Sequence, residues 1–449
     1  MELVKKFNSR KYRISRPTNL YKEINFNKYL FLVFIYLFGV VSASIASIMN
    51  IDVQNFYRIP VINIRWIDVA ILSIVFNHLY SLAQRKRTLK NTNLIIFLCI
   101  SYLVYESIQL IRTLGVIDIM TQLSLFYCSL SIFIIVDLSV YIIPLYKIVF
   151  FIKKISIWGA YGVIILNYYL LYSFFRGNIV IEDLDVRVAI KVIGSKETVY
   201  SFVLVPLVYA YGLYFIQEKG LLWKKILFIF ALLSIYGALI ITFWRGTVIM
   251  IVIITFYFLF AGSNLKQMII RFTSFIVIIT LGYFIFGGTL AEKGYDPLQK
   301  ITETIQFATD VKNPDWDKGR AIAQDYAIKE WKNNLWFGAG YDELGRGKSM
   351  PINSINPHNG IITSLFHRGV FGTIIYMLIL IFLFSYAVKG WILLRNYKSQ
   401  ESEIVKIFIL VSLFWIITFM TQEALWEKYS LSIEYLYLGL ITNIYKQIV

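Results

Sequence analysis

Charge is scarce in this 449-residue chain. Only 16% of its residues are charged, while 58% are hydrophobic and 17% aromatic. An average soluble protein carries roughly 25% charged residues. A soluble chain of this length would divide into two or three domains, and so few charged side chains cannot cover so much apolar surface. Most soluble enzyme folds are thereby excluded, and the mean hydropathy of +0.65 agrees. Cysteine is almost absent as well. Cys99 and Cys128 both lie inside apolar runs, which rules out a disulfide framework. Three histidines, at positions 78, 358 and 367, are too few and too scattered for a histidine-rich metal site. What is in surplus is positive charge, with 44 Lys and Arg against 27 Asp and Glu and a net charge of +17. In so apolar a chain that surplus speaks first of membrane orientation, because cytoplasmic loops collect cations. Nucleic acid is not an expected partner.

A helix crossing a bilayer takes about 20 mostly apolar residues. The long continuous runs exclude a β-barrel, whose strands would alternate with period two. The sequence predicts an all-α polytopic membrane protein with about twelve transmembrane helices, over 28–49, 61–83, 93–111, 116–137, 155–175, 199–216, 223–242, 246–261, 267–287, 361–388, 404–421 and 429–446. With the N-terminus inside, the cytoplasmic segments hold 25 Lys and Arg and the short outer loops nine, so both termini are expected in the cytoplasm. The expected organisation is a basic cytoplasmic arm over 1–27, transmembrane helices 1–9 over 28–287, a large periplasmic loop over 288–360 and transmembrane helices 10–12 over 361–449. The first apolar run is long enough to read as an uncleaved helix. Residues 138–154 read as a short interfacial helix that turns Lys153 and Lys154 to the headgroups, or as an extra half-span. Trp66, Trp223, Trp244, Trp391 and Trp426 fall near expected helix ends, as an aromatic belt would place them. The spans are nearly charge-free, and most of the carboxylates near them (Glu106, Asp118, Asp137 and Glu434) can be placed at span ends.

One stretch departs from this pattern. Residues 288–358 carry nine basic and ten acidic residues, and a connection this long is usually functional. Within it, 316–334 has helical spacing, with Asp317 or Gly319 to open the helix and Asn333–Asn334 to close it.

Four groups of residues carry potential chemistry. Arg245 lies between two spans joined by almost no loop; an arginine at membrane depth costs about 2.5–3.5 kcal/mol and marks a functional candidate, or it snorkels to the interface. Arg320 opens the loop helix. The macrodipole there favours anions, so the arginine helps a helix N-terminus hold a phosphate or is a solvated surface residue. In 335–372, Gly338 and Gly340 permit a tight turn with close backbone approach. His358, after Pro357, enters the tenth span, where an imidazole can take a proton from a sugar hydroxyl, while Asn359 beside it reads equally well as a helix cap. His367 and Arg368 follow on the same helix; nine residues place the two histidines about 180° apart, so they share no metal. Arg187 and Lys191, spaced i, i+4, fall on one helix face and with Lys196 form an anion-steering patch or a solvated face.

In order and spacing, these residues resemble the O-antigen polymerase and ligase superfamily, which includes Wzy-type polysaccharide polymerases and lipopolysaccharide O-antigen ligases. The elements are Trp244-Arg245-Gly246 opening a span, a Gly-Arg helix start at Gly319-Arg320 running to Trp331, the turn from Phe337 to Gly340, and His358-Asn359 with Gly369 and Gly372 downstream. They cover about residues 240–390. The resemblance implies a GT-C-like membrane glycosyltransferase of the bacterial inner membrane, with its active site facing the periplasm. Its reaction would move a glycan from undecaprenyl diphosphate to an acceptor hydroxyl without metal or cofactor. It implies catalytic roles for Arg245, Arg320 and His358, with Asn359, Arg368 and Arg187 as further expected substrate contacts. His367 and Arg368 stand where many family members carry Glu-Leu or similar residues. The expected partners are the lipid-linked donor and acceptor oligosaccharides, membrane lipids and a chain-length regulator protein. A polymerase, extending another lipid-linked repeat unit, is the first expectation. A ligase acting on lipid A core or on a protein is the second. A lipid-linked oligosaccharide flippase is the alternative from another class, and it would need charged groups lining a central cavity.

Overall fold

The computed structural model describes residues 27–48, 66–83, 94–112, 126–127, 129–140, 143–175, 198–217, 221–242, 245–260, 318–340, 359–395, 397, 399–421 and 430–448, with 269, 273, 276–277, 280, 284 and 288 between them. Among these residues there is helix and turn but no strand. In chain order the helices are α1 (Asn27–Ile48), α2 (Trp66–Ala83), α3 (Leu94–Arg112), α4 (Phe133–Val140), α5 (Leu145–Phe175), α6 (Thr198–Gln217), α7 (Leu222–Thr242), α8 (Arg245–Phe260), α9 (Lys318–Asn333), α10 (Gly360–Leu394), α11 (Gln400–Thr421) and α12 (Ser430–Ile448). The arm over 1–26 and the loop segments 289–317 and 341–358 lie outside the described residues, as do most of the ninth expected span, over 267–287, and the first part of the fourth, over 116–137.

α3 shows why the bundle belongs in lipid. Phe97, Ile100, Val104, Ile108 and Ile111 are exposed along one face, three or four residues apart, while Cys99, Tyr102, Glu106 and Gln109 are buried on the other. A helix in a water-soluble bundle turns its apolar stripe inward. Here the polar stripe points inward and the apolar one outward. α10 repeats the pattern, with Phe371, Ile374, Ile381 and Phe384 exposed and Ser364, Arg368 and Thr373 buried. Among the described residues, α3, Leu145–Tyr168 of α5 and the whole of α10 are long and apolar enough to cross a membrane. Trp66 opens α2 and Trp223 lies in the first turn of α7, both exposed, where an aromatic belt would set them.

One expectation is corrected. Residues 138–154 are not a separate interfacial helix: α4 ends at Val140 and 145–154 are the first turns of the 31-residue α5, with Ile148, Phe151 and Ile152 fully buried. Pro144, which cannot donate a helical hydrogen bond, marks the break. Of the carboxylates near the spans, Glu106, Asp137 and Glu434 are buried, as is Asp68, where an ion outside water needs a partner; Asp118 lies outside the described residues. Asp137 accepts from Lys28, from the Tyr29 hydroxyl and from His78 Nδ1 at 2.6 Å, joining α1, α2 and α4.

The gap between α4 and α5 would leave carbonyls without partners in an apolar medium. α12 supplies them. Asn443 Nδ2 donates to the Leu138 carbonyl, Lys446 to that of Ser139 and Gln447 to that of Ile143. In the other direction, the Ile143 amide donates to Asn443 Oδ1 at 2.8 Å. Gly439 lets α12 approach closely: a Cβ there would lie 2.6 Å from Leu138 Cδ1, the close helix contact that small residues permit in membranes. α10 packs against α3, α9, α11 and α12.

Candidate functional site

The site is organised by a break in α10. Gly369 has φ +61° and ψ −165°, which divides the helix into an entry segment, 360–368, and a long remainder. Only glycine adopts that conformation without strain. An unbroken α-helix would bond the amides of Val370 and Phe371 back to the carbonyls of Phe366 and His367. Instead, all four groups turn to the segment after α9. Val370 N–H donates to the Leu335 carbonyl (3.0 Å) and Phe371 N–H to that of Trp336 (3.2 Å). Ala339 N–H donates to the Phe366 carbonyl (2.7 Å) and Gly340 N–H to that of His367 (3.1 Å). The helix thus exchanges two internal bonds for four bonds to residues 335–340.

So close a crossing of two backbones leaves no room for side chains. A Cβ on Gly338 (φ +69°) would lie 2.5 Å from the Gly369 nitrogen, and one on Gly369 would lie 2.4 Å from the Gly338 nitrogen. The close approach read from Gly338 and Gly340 is therefore present, and its partner is the backbone around Gly369. His367 adds a side-chain tie: its Nδ1 lies 2.6 Å from the Gly340 carbonyl. A carbonyl only accepts, so Nδ1 carries the proton.

α3 grips the crossing from the side. Tyr105, Gln109 and Arg112, spaced i, i+4, i+7, share one face. All three donate to the Phe337 carbonyl: Tyr105 at 3.4 Å, Gln109 at 2.7 Å and Arg112 at 3.3 Å. Tyr105 also donates to the Arg368 carbonyl. Below them, Glu106 accepts from Arg368 Nε, and the guanidinium lies near the rings of Tyr102 and Tyr376, 5.5 and 5.9 Å from their centroids. Ser129 donates to Glu106 at 3.5 Å. Gly372 completes the fit, since a Cβ there would lie 2.4 Å from Tyr105 Cε1. Trp336 and Phe337, both exposed, pack at a tilt against Phe371, with ring centroids 5.3 and 5.6 Å away, and Arg112 sits 5.7 Å from the Phe337 ring.

The expected site residues fall as follows. Arg245 is the first residue of α8, and Arg320 stands in the first turn of α9. α9 begins at Lys318, between the two openings expected for it, and ends at Asn333 as expected. It packs on α10, with Ala323 and Ala327 buried and Tyr326 6.4 Å from Phe366. Asn359 caps α10, its Oδ1 accepting from Ile361 and Ile362 at 3.1 Å each. Its amide oxygen therefore serves the helix. Arg368 is 4% exposed and paired with Glu106, which is 0% exposed. His358 and Arg187 lie outside the described residues. Among the described residues, no three His, Cys, Asp or Glu side chains gather as a metal site would require.

Sequence reasoning missed Tyr105, Gln109 and Arg112. The signal was present: polar residues at i, i+4 and i+7 of an otherwise apolar helix, with the carboxylate Glu106 among them, mark an inward-facing polar stripe.

No curated protein matches the chain. The sequence model of the O-antigen ligase family matches residues 227–377. That stretch holds Arg245, α9 with Arg320, the glycine crossing, His358 and the break at Gly369. Over that stretch, about a third of its length, the chain is similar to the O-antigen ligase family.

Proposed function

We propose that the protein is a metal-independent glycosyltransferase of the inner membrane. It polymerises surface polysaccharide on the periplasmic side, transferring an undecaprenyl-diphosphate-linked glycan to the acceptor hydroxyl of a second lipid-linked repeat unit. The observation that carries the reading is the family match over 227–377, a stretch that includes all three candidate catalytic side chains. The fold supports it. α9, which begins beside Arg320, is docked on the α10 segment whose cap, Asn359, directly follows His358 in the chain.

In this mechanism the acceptor oxygen attacks the anomeric carbon and the bond from that carbon to the diphosphate oxygen breaks. Undecaprenyl diphosphate leaves, and His358 receives the hydroxyl proton. Arg245 and Arg320 meet the charge that grows on the diphosphate with paired N–H donors. Hydrogen bonds to charged groups contribute about 1.5–3 kcal/mol each, so two arginines together supply on the order of a thousandfold in rate. Arg187 serves as an outer-loop glycan contact. The twelve-span topology with both termini in the cytoplasm, and a chain-length regulator as partner, belong to the same proposal.

A ligase is the second reading, because the matching family is described as O-antigen ligase. Purified protein in liposomes with a single lipid-linked repeat unit separates the two. A ladder of products supports the polymerase; product only on addition of lipid A core supports the ligase. His358→Ala, Arg245→Ala and Arg320→Ala are each expected to abolish product while still inserting. Arg320→Lys fails too, because a point charge does not reproduce the guanidinium fork. Wild-type product from these variants would overturn the proposal.

A further inference from the structure

The break at Gly369 has a mechanical consequence. Segment 360–368 is no longer aimed by the rigid remainder of α10, because the hydrogen bonds that would transmit direction across the break have gone to residues 335–340. Something else must set its direction, and with it the position of the cap Asn359, the residue that follows His358 in the chain. The contacts that reach both sides of the crossing come from α3. Glu106 holds the Arg368 side chain, Tyr105 takes the Arg368 carbonyl, and Tyr105 and Gln109 take the Phe337 carbonyl. Arg368 is the last residue before the break and Phe337 the last before Gly338, so α3 holds the two chains at the point where they meet.

We infer that α3 is the positioning element of the active site: Glu106 and Arg368, aided by Tyr105 and Gln109, aim the entry segment of α10, whose cap Asn359 directly follows His358 in the chain, and, through residues 335–340, α9 with Arg320. Arg368, expected from sequence to touch substrate, acts instead through the segment it anchors. The inference rests on the proposed glycosyl transfer.

Losing one partner of a buried ion pair is strongly destabilising, while replacing both with apolar or neutral groups of similar volume is mild. The test therefore uses the double variant Glu106→Gln/Arg368→Met, together with the uncharged variant Tyr105→Phe/Gln109→Ala. Each is made in the full chain, reconstituted in liposomes, and assayed with lipid-linked repeat units beside His358→Ala. A merely structural pair predicts that a stably folded variant works normally. Positioning predicts a melting temperature close to wild type, an unchanged KM for the donor and a kcat at least tenfold lower, because misplacing a reacting group by a fraction of an ångström affects the transition state more than binding. An inactive His358→Ala beside a wild-type kcat in either stably folded variant overturns the inference alone. Wild-type turnover by His358→Ala overturns the glycosyl-transfer reading and the inference with it.

Discussion

Among the described residues, the α10 helix at Gly369 and the junction of α4 and α5 each leave helical backbone groups unbonded, and the two are repaired in opposite ways. At Gly369 the freed backbone groups of α10 are met by another backbone, residues 335–340, at a crossing so tight that Gly338 and Gly369 admit no Cβ. Between α4 and α5 the freed groups are met by side chains of α12, namely Asn443, Lys446 and Gln447, while the Asp137 cluster ties the same region to α1 and α2. Both obey the same rule, that backbone polar groups away from water must find partners. Their consequences differ. Side-chain repair is long, adaptable and tolerant of small shifts. Backbone-to-backbone repair fixes two chain segments relative to each other with little slack, which suits a place where reacting groups must be held.

The comparison can be broken at four points. Gly369→Ala combines positive-φ strain with a clash against backbone, and is expected to lower stability by about 4 kcal/mol. The loss should appear as a collapsed melting temperature in detergent and no glycan product; near-normal melting would mean that the crossing is not rigid. At the other break, Asp137→Asn leaves the Lys28 cation without its counter-charge, for a loss of about 3 kcal/mol, with residual activity in whatever fraction stays folded. Asn443→Ala removes two hydrogen bonds at the end of α4. It should cost about 2 kcal/mol and leave KM and kcat unchanged in the folded protein. The mildest case is Gly390→Ala, whose Cβ would meet only Ile409 Cδ1 at 3.4 Å. A change within about 0.5 kcal/mol is expected, read as an unmoved melting curve.

Much of this was legible in the chain. Long apolar runs without period-two alternation announced helices because lipid admits few other structures. The glycines of 335–372 announced a close approach because glycine alone tolerates positive φ and contact without a Cβ. α9 was legible from its helical spacing and from the asparagines that end it. The partners were hidden. Glu106 and Arg368 stand 262 positions apart, and neither apolar helix displays a local pattern that names the other. The misreading of 138–154 has a similar cause. A break satisfied by α12, some 300 residues downstream, looks from its own sequence like the start of an interfacial helix.

Composition and pattern alone thus determined that the chain is helical and made for a membrane, and that its glycines at 338 and 340 belong to a close approach. Those properties depend on solvent transfer and on local backbone geometry, which each segment carries with it. Which buried charge meets which, and which backbone repairs which break, was decided only by tertiary packing. Such pairings depend on the distance between segments remote in the chain, a quantity that no local stretch of residues contains.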